Sequence, residues 1–528
     1  MTPRAAVRAA LVNPPHVRGP GRPLENASPP LGIAYIAAAL RAGGFPAELY
    51  DLADEVPMDP AKLAAAGFFD HDLYGFTSYT KTFDAALELV RLLKANNPAA
   101  TIVFGGPHAT PLAEVLVETY DEIDVVVRNE GEQAMVAIAR HRAGDLDSLA
   151  GVAGLVYRKG GAIARTGDPH DLPPVDSLPD PARDYAIRPQ RLVYDRRDPL
   201  NPQRIEFFSS SRGCPKRCTF CSIVVMSPRY RFRSVESLMD EIRAVHERDP
   251  FGHVAFLDAN FFVHWRRTAE FAEALHRWDP GVTWSATATV DAIVRHPRVV
   301  ERIGALNCQM LEVGVENGSD SFLARVNKRT TVEQNLDAIR ALDDAGIELE
   351  LDYIMFDPET TLEELADNAD FLTEAELTDY IPADHLANTL RLYPGTPARS
   401  RYAPGGPGPA EFAAADLYAP IADPRAAAVN RVMTEAVDTC FVGLEQVVRA
   451  CERAADTSHD PQEMHALAIA FRNVPFAIFR ESIDRAGAGE LDLTLSDLAA
   501  SARLRELVAL AHEQETRASR PAELANAV

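Results

Sequence analysis

The chain has 528 residues, which is too many for one hydrophobic core, and we expect about three or four domains. It carries 53 Lys and Arg against 77 Asp and Glu, a formal net charge of −24, and this acidic balance disfavours a nucleic-acid substrate. There are only six cysteines, and no apolar run is long enough to cross a bilayer. These features predict a cytoplasmic protein without a disulfide framework or a transmembrane segment.

The first part of the chain alternates short apolar strands with helices of amphipathic spacing. Strands are predicted over residues 10–12, 47–50, 72–76, 101–104 and 124–127, with helices over 31–42 and 83–95. Five such units predict a doubly wound parallel sheet of the Rossmann-like α/β class. Ligands of such sheets bind at the carboxyl ends of the strands.

Gly, Ser and Thr cluster in the loops that follow these strands. The glycines alone fit ordinary turns between strand and helix. The combined text of residues 29–32, 75–80, 104–110 and 130–132, however, resembles the cobalamin-binding domain that precedes the barrel in cobalamin-dependent radical S-adenosylmethionine (SAM) proteins. The resemblance covers most of residues 7–140 and implies a cobalamin domain over 1–142. It implies cobalamin contacts at Pro15, Leu31, Gly32, Thr77, Ser78, Thr80, Gly105, Gly106, His108, Glu130, Gly131 and Glu132.

The first loop departs from that of many corrinoid carriers. Carriers that ligate cobalt from below use Asp-x-His-x-x-Gly, in which the carboxylate orients the imidazole. Here Pro14 stands at the position of that Asp, although His16 and Gly19 keep the spacing. We therefore expect cobalamin to be bound without a protein imidazole, which favours reduction to cobalt(I).

Residues 143–200 are predicted to be a connector with one small β element at Gly154–Tyr157. The stretch from Asp168 to Pro181 is rich in proline and acid, so it is expected to be extended.

The alternation of strands and helices returns at Arg204. Six strands are predicted over 204–208, 253–257, 283–286, 310–315, 348–355 and 386–392. They indicate a partial (β/α)6 barrel over 201–400. Barrel enzymes carry their chemistry at the carboxyl ends of the strands, where the polar clusters of this region also lie.

Three cysteines, Cys214, Cys218 and Cys221, follow the first of these strands. A [4Fe-4S] cluster held by three thiolates leaves one iron open to another ligand. A zinc knuckle is a weaker interpretation because zinc prefers four ligands in two pairs, and no partner pair is near. Three unrelated core cysteines are not expected within one basic loop. The spacing Cys-x-x-x-Cys-x-x-Cys, with Phe220 before the last cysteine, resembles the signature of radical SAM enzymes. That resemblance places SAM on the open iron and Phe220 against its adenine.

The same resemblance implies further SAM contacts at strand ends: Asp258 and Asn260 for the amine, and Ser285, Thr287 and Glu316 near the ribose and carboxylate. Two places depart from the family text. Ala259 replaces a second acid, and Phe356-Asp357-Pro358 replaces a Gly-rich turn, so contacts there are in doubt. Each contact residue also fits a simple turn former at a strand end.

Residues 401–528 change character. A Gly/Pro linker at 405–409 precedes amphipathic segments at 426–448 and 466–483, which predict an α-helical domain that closes the active site. Cys308, Cys440 and Cys451 are expected to pack as core residues.

Together the two resemblances imply a cobalamin-dependent radical SAM methyltransferase. Such an enzyme passes a SAM-derived methyl group through methylcobalamin to an unactivated carbon, or to phosphorus, of a small molecule or peptide, after a 5′-deoxyadenosyl radical removes hydrogen. The implied cofactors are a [4Fe-4S] cluster, SAM and cobalamin, and the implied partner is a reducing electron-transfer protein. No catalytic acid or base is assigned.

Three alternatives stay open at this point. The same architecture also serves ring contraction, cyclisation or rearrangement without methyl transfer. A corrinoid carrier or sensor is disfavoured because it needs no open cluster. A methylthiotransferase acting on tRNA is disfavoured because the N-terminal region has no cysteine for a second cluster.

Overall fold

The computed structural model describes residues 7–16, 28–55, 58–169, 172–187, 204–227, 229–404, 417–441, 444, 448, 451 and 461–499. The chain forms two compact units. The first comprises residues 1–312, 341–349 and 392–417, and the second comprises 313–340, 350–391 and 418–528.

The first unit begins with an eight-stranded sheet. Its strands are β1 (Ala9–Asn13), β2 (Ala47–Asp51), β3 (Leu73–Thr77), β4 (Thr101–Gly105), β5 (Val125–Val127), β6 (Leu155–Lys159), β7 (Ala162–Arg165) and β8 (Tyr185–Ile187). Its helices are α1 (Leu31–Ala42), α2 (Pro60–Ala65), α3 (Phe83–Asn96), α4 (Ala113–Thr119) and α5 (Glu132–Ala143). The strand order is β7-β6-β5-β4-β3-β1-β2-β8. The parallel part, β2-β1-β3-β4-β5, has the doubly wound order, so the fold prediction is confirmed.

Every residue of β1 is buried, because helices cover both faces of the sheet. Ala10 and Val12 point into one apolar core, and Ala9 and Leu11 point into the core on the opposite face. The chain reverses its winding between β1 and β3, which are neighbours in the sheet. The loops after these two strands therefore border the crevice where doubly wound sheets bind ligands.

The described part of the predicted connector contributes three strands to this sheet rather than one small element. β6 and β7 form a hairpin that pairs antiparallel with β5, and β8 pairs with β2. The hairpin covers the main-chain groups that β5 would otherwise expose at the sheet edge. Just before β8, the buried Arg183 side chain contacts Glu206 at 2.6 Å and Glu241 at 2.7 Å. Residues 170–171 and 188–200 of the prediction lie outside the described residues.

The region predicted as a barrel begins in the same unit. Its strands are β9 (Ile205–Phe208), β10 (Ser211–Arg212), β11 (Arg231–Phe232), β12 (His253–Phe256), β13 (Thr283–Ala288), β14 (Cys308–Glu316) and β15 (Glu348–Tyr353). Its helices are α6 (Ile223–Met226), α7 (Val235–Arg248), α8 (Trp265–Trp278), α9 (Val290–Arg295), α10 (Pro297–Gly304), α11 (Asp320–Arg325), α12 (Val332–Asp344), α13 (Leu362–Glu374) and α14 (Pro397–Tyr402). β9, β12 and β13 are parallel, with His253 opposite Ile205 and Thr283. The boundary between the units passes through β14 and β15.

The sixth predicted barrel strand, over 386–392, is not a strand. Residues Ala383–Leu386 form a 3-10 turn, and the segment makes one parallel bridge, between Thr389 and Phe356. The Asn388 side chain donates to the Tyr353 carbonyl at 2.6 Å. A side-chain donor thus satisfies a carbonyl that a sixth strand would have paired with its main chain.

The second unit contains the C-terminal helices α15 (Pro424–Ala436), α16 (Pro461–Gly487) and α17 (Leu495–Ala499), with a π-helical turn at Val437–Phe441. α16 packs against α15 and α13. The helical prediction for this region is confirmed over the described residues. The predicted linker at 405–409 and the tail from residue 500 lie outside them. Cys308 and Cys451 are buried as expected, and the side chain of Cys440 is not among those described.

Candidate active site

The cysteine loop lies between the short strands β10 and β11, which pair antiparallel. None of Cys214, Cys218 and Cys221 forms a disulfide; Cys218 is buried, while Cys214 and Cys221 are half-buried, as is Phe220. The described residues contain no group of three or more His, Cys, Asp or Glu side chains around a single metal-ion position. A cubane distributes three thiolates over three irons, so the donor set that the chain offers is the one a cluster requires.

Asp258, just after β12, holds the start of the cysteine loop. Its carboxylate accepts hydrogen bonds from the main-chain N–H of Ser210 at 2.9 Å, from the Ser210 hydroxyl at 2.9 Å and from the Ser211 hydroxyl. Burial raises the pKa of Asp258, against the lowering effect of these donors. The predicted SAM contact therefore has a loop-positioning role that the sequence did not reveal.

Asn260 lies against the cysteine loop. Its Nδ2 is 3.9 Å from the Cys214 Sγ, within the range of a hydrogen bond to sulfur. Its buried Oδ1 accepts no hydrogen bond from any described residue. A buried acceptor next to the cluster cysteines fits the predicted contact with the amine of SAM.

The two faces of the β9-β12-β13 sheet differ in exposure. Trp284 and Phe256 are buried on one face, whereas Leu257, directly after β12, is 38% exposed and Thr287 is half-buried. Ser285 lies on the same face of β13 as Thr287, and His253 holds it, since the His253 Nε2 lies 2.8 Å from the Ser285 hydroxyl. The sequence did not reveal this role of His253, which begins β12 and belongs to no recognisable motif.

Glu316 belongs to the second unit and ends β14 with φ of +67°. Lys328 donates to its Oε1 at 2.6 Å, and both side chains are buried. Burial raises the pKa of Glu316, although Lys328 acts in the opposite direction. Gly314 is needed beside this pair, since a Cβ there would lie 2.5 Å from Oε1 of Glu316 and Nζ of Lys328.

The predicted cobalamin residues all lie at the carboxyl-end side of the N-terminal sheet. After β4, Gly106 has φ of +94°, and a Cβ there would lie 2.9 Å from the Thr77 Oγ1 and 3.0 Å from the Ser78 nitrogen. Ser78, after β3, exchanges main-chain contacts with this turn: its N–H donates to the Gly105 carbonyl at 2.9 Å. The two loops are thus closely packed, and their backbone lies near the crevice.

A contact between His108 and Thr80 joins the loop after β4 to the loop after β3. The His108 Nδ1 lies 3.1 Å from the Thr80 Oγ1, and its ring packs on Phe83 with 4.6 Å between centroids. Burial lowers the pKa of His108 to about 4. The neutral, buried ring supports the loops and is not exposed in the crevice.

The pKa of His108 predicts a pH-dependent stability. Because the unfolded chain binds a proton on this histidine more tightly, the free energy of unfolding should rise with pH between about 4 and 6.5. The slope from one such group is about 1.4 kcal/mol per pH unit. Urea unfolding across this window should therefore be steeper in pH for the parent protein than for His108→Gln. Parallel profiles would contradict the assignment.

Pro15 and Leu31 are buried where β1 and α1 face the crevice, but Gly32 is exposed, and a Cβ added there would have no neighbour within 4 Å. Gly32→Ala should stabilise the protein by about 0.5–1 kcal/mol, because alanine suits a helix better than glycine. If the corrin approaches the backbone here, the same methyl group should weaken cobalamin binding about tenfold or more. Thermal unfolding and an absorbance titration test the two effects separately; unchanged affinity would remove Gly32 from the site.

Glu130 and Glu132, after β5, contact protein cations. Glu130 pairs with Arg212 at 2.7 Å and also with Arg231, and Glu132 pairs with Arg212 at 2.5 Å. Burial disfavours the charged form of Arg212, but Glu132 and Glu130 outweigh it and raise its pKa. Gly131, between these two glutamates, packs on α1: a Cβ added there would lie only 2.9 Å from the Ile36 side chain. The sequence did not reveal the role of either arginine, because a basic residue beside a cysteine loop has many possible partners.

Two known protein families match parts of this chain. The Radical SAM superfamily matches residues 208–372, and the B12 binding domain matches residues 19–139. The chain is a radical SAM protein with a B12-binding domain. This radical SAM protein is an enzyme whose cofactors are a [4Fe-4S] cluster, SAM and cobalamin. Within its described residues, no helix has both the length and the apolar character that a membrane crossing requires.

Two curated relatives differ in their chemistry. This radical SAM protein is 27% identical over 399 residues to an uncharacterized methyltransferase of Pyrococcus horikoshii, covering 74% of this chain and 82% of the relative. It is 28% identical over 357 residues to the anaerobic magnesium-protoporphyrin IX monomethyl ester cyclase of Rubrivivax gelatinosus, covering 66% of this chain and 62% of the cyclase.

Two solved structures share the fold. The cobalamin-dependent SAM radical enzyme OxsB, with aqua-cobalamin and SAM bound, aligns with a TM-score of 0.73 and 17% identity, over 98% of this chain and 81% of OxsB. The radical SAM methyltransferase TsrM of Kitasatospora setae, with cobalamin and a [4Fe-4S] cluster bound, aligns with a TM-score of 0.59 and 18% identity, over 76% of this chain and 75% of TsrM.

Proposed function

We propose that this protein is a cobalamin-dependent radical SAM methyltransferase. It transfers a SAM-derived methyl group to an unactivated carbon, or to phosphorus, of a small molecule or peptide. One observation carries the proposal: the cysteine loop and the loops at the carboxyl ends of the N-terminal sheet lie side by side in one compact unit, joined through Arg212, Glu130 and Glu132. Methyl transfer to a substrate radical requires these two cofactor sites to face one reaction space.

When bound, the cluster and SAM supply a radical that removes hydrogen, and cobalamin supplies a carrier for the methyl group. The chain's own residues hold and orient these groups. Cys214, Cys218 and Cys221 provide the thiolates, and Asn260 offers its buried Oδ1 to the amine of SAM. Gly32 leaves open space at the start of α1 for the corrin, and the closely packed turn at Gly105 and Gly106 would present its backbone to it.

The remaining predicted SAM contacts, Phe220, Asp258, Ser285, Thr287 and Glu316, are part of this proposal. So is the division into domains at 1–142, 143–200, 201–400 and 401–528, in which the helical C-terminal domain selects the substrate. We also infer a cytoplasmic location, a reducing electron-transfer protein as partner and no nucleic-acid substrate, in line with the acidic charge.

A second candidate, cyclisation or rearrangement without methyl transfer, is favoured by the likeness to the cyclase. Anaerobic reconstitution with cluster, cobalamin, SAM and a low-potential reductant separates the two. The methyltransferase should form both 5′-deoxyadenosine and S-adenosylhomocysteine. Deoxyadenosine alone would favour the second candidate, and neither product would favour a corrinoid carrier.

A further inference from the structure

Residues 129–132, here called the coupling segment, contact the chain just before the cluster cysteines. Arg212 is two residues before Cys214, and its two terminal nitrogens donate to different carboxylates: Nη1 to Glu130 and Nη2 to Glu132. The side chains of Arg212, Glu130 and Glu132 are each no more than 15% exposed. Such a forked, charge-assisted contact fixes direction as well as distance.

The coupling segment also contacts the chain just after the cysteines. α6 begins two residues after Cys221, and Asn129 Nδ2 donates to the carbonyls of Val225 at 3.2 Å and Met226 at 2.9 Å. Asn129 has φ of +64°, and its main-chain N–H donates to the Thr110 hydroxyl at 3.1 Å. The same segment thus holds both ends of the cysteine loop.

On its other side, the coupling segment packs against the wall of the cobalamin crevice. Gly131 contacts Ile36 of α1, the helix that begins at Leu31 and carries Gly32. Tyr35 of the same helix lies under Arg212, with the guanidinium carbon 5.0 Å from the ring centroid. A displacement of α1 would therefore reach Arg212 through direct contacts.

We propose that the coupling segment links cobalamin occupancy to the cluster, with Arg212 as the positioning residue. Cobalamin in the crevice fixes α1 and the segment, and the segment fixes both ends of the cysteine loop. Glu130 and Glu132 act on the protein side of the crevice instead of contacting cobalamin. The inference rests on the two cofactor sites of the proposed function but not on methyl transfer.

Thermodynamic linkage makes the effect reciprocal. In the parent protein, cobalamin should bind about fivefold more tightly, or better, when the cluster is present than when it is absent. Cobalamin should also shift the reduction potential of the cluster, because the loop that carries its ligands is held differently. Both quantities are measured without SAM turnover, by absorbance titration and by a redox titration followed by electron paramagnetic resonance.

The decisive variant is the pair Glu130→Gln and Glu132→Gln. Without the cluster, this double variant should bind cobalamin with an affinity within about threefold of the parent's. The ratio of its cobalamin affinity with the cluster to that without it should fall towards one. Arg212→Lys, which keeps the charge but loses the fork, should give an intermediate ratio. Glu206→Gln is the control, because it removes a buried carboxylate that pairs with an arginine, Arg183, outside the coupling segment.

The proposal would be overturned if the parent protein bound cobalamin equally well with and without the cluster. It would also be overturned if the double variant kept the parent's ratio of these two affinities. Weak cobalamin binding by the cluster-free double variant would instead make Glu130 and Glu132 direct cobalamin contacts. If the double variant does not fold, as judged by its circular dichroism, the Arg212→Lys ratio decides. Absence of methyl transfer would leave these readouts unchanged, so the two proposals fail separately.

Discussion

Cys218→Ala is expected to abolish both the cluster and the formation of 5′-deoxyadenosine. Cys218 is the buried member of the three cysteines. The chain that leads into its loop is held by the contacts of Ser210 and Ser211 with Asp258. Two remaining thiolates cannot hold a cubane with one open iron. Iron and sulfide content after anaerobic reconstitution, and deoxyadenosine released from SAM, measure the loss.

Cys308→Ala is the matched control, because it also removes one buried sulfur. Cys308 begins β14, and its Sγ lies 3.9 Å from the Met310 carbonyl. This variant should keep its iron and its deoxyadenosine. Full iron in both variants would refute the assignment of Cys218 as a cluster ligand, whereas equal loss of iron in both would point to a general folding defect.

Gly213→Ala is expected to have the second large effect. Gly213 directly precedes Cys214 and has φ of +78°, where a side chain costs about 1–2 kcal/mol. A Cβ would also lie 2.5 Å from the Ser227 carbonyl oxygen and would collide with that of Arg229. Backbone on both sides cannot yield as a flexible side chain would, so the total destabilisation should reach about 3 kcal/mol or more.

Gly160→Ala separates strain from collision. Gly160 lies in the turn between β6 and β7 with φ of +58°, and a Cβ there meets no atom within 4 Å. It should cost only the strain of about 1–2 kcal/mol and leave the iron content unchanged. Thermal unfolding and iron content should therefore fall much further in Gly213→Ala. Equal values for the two variants would contradict the packing around Gly213.

The regular elements were predictable because their cause is local. Strands β1 to β5 and helices α1 and α3 were placed to within a residue or two, since buried strands and amphipathic helices each have their own spacing of apolar residues. The failed prediction, a sixth barrel strand at 386–392, is also instructive. Its apolar spacing was present, but a 3-10 turn takes up the start of the segment, and the Asn388 side chain donates to the Tyr353 carbonyl.

The sequence by itself determined the composition of the site: three cysteines in one loop, glycine-rich turns after parallel strands and, through the family resemblance that these motifs carry, the cluster, SAM and cobalamin. These motifs depend on residue type and on short spacing along the chain, and both can be read directly from the amino-acid sequence. Only the tertiary structure decided which groups meet. Arg212 contacts Glu130 and Glu132 about 80 positions away, and Asp258 orders Ser210 from 48 positions away. Such contacts depend on how whole strands and helices pack. In the sequence alone, an arginine or a carboxylate has many possible partners.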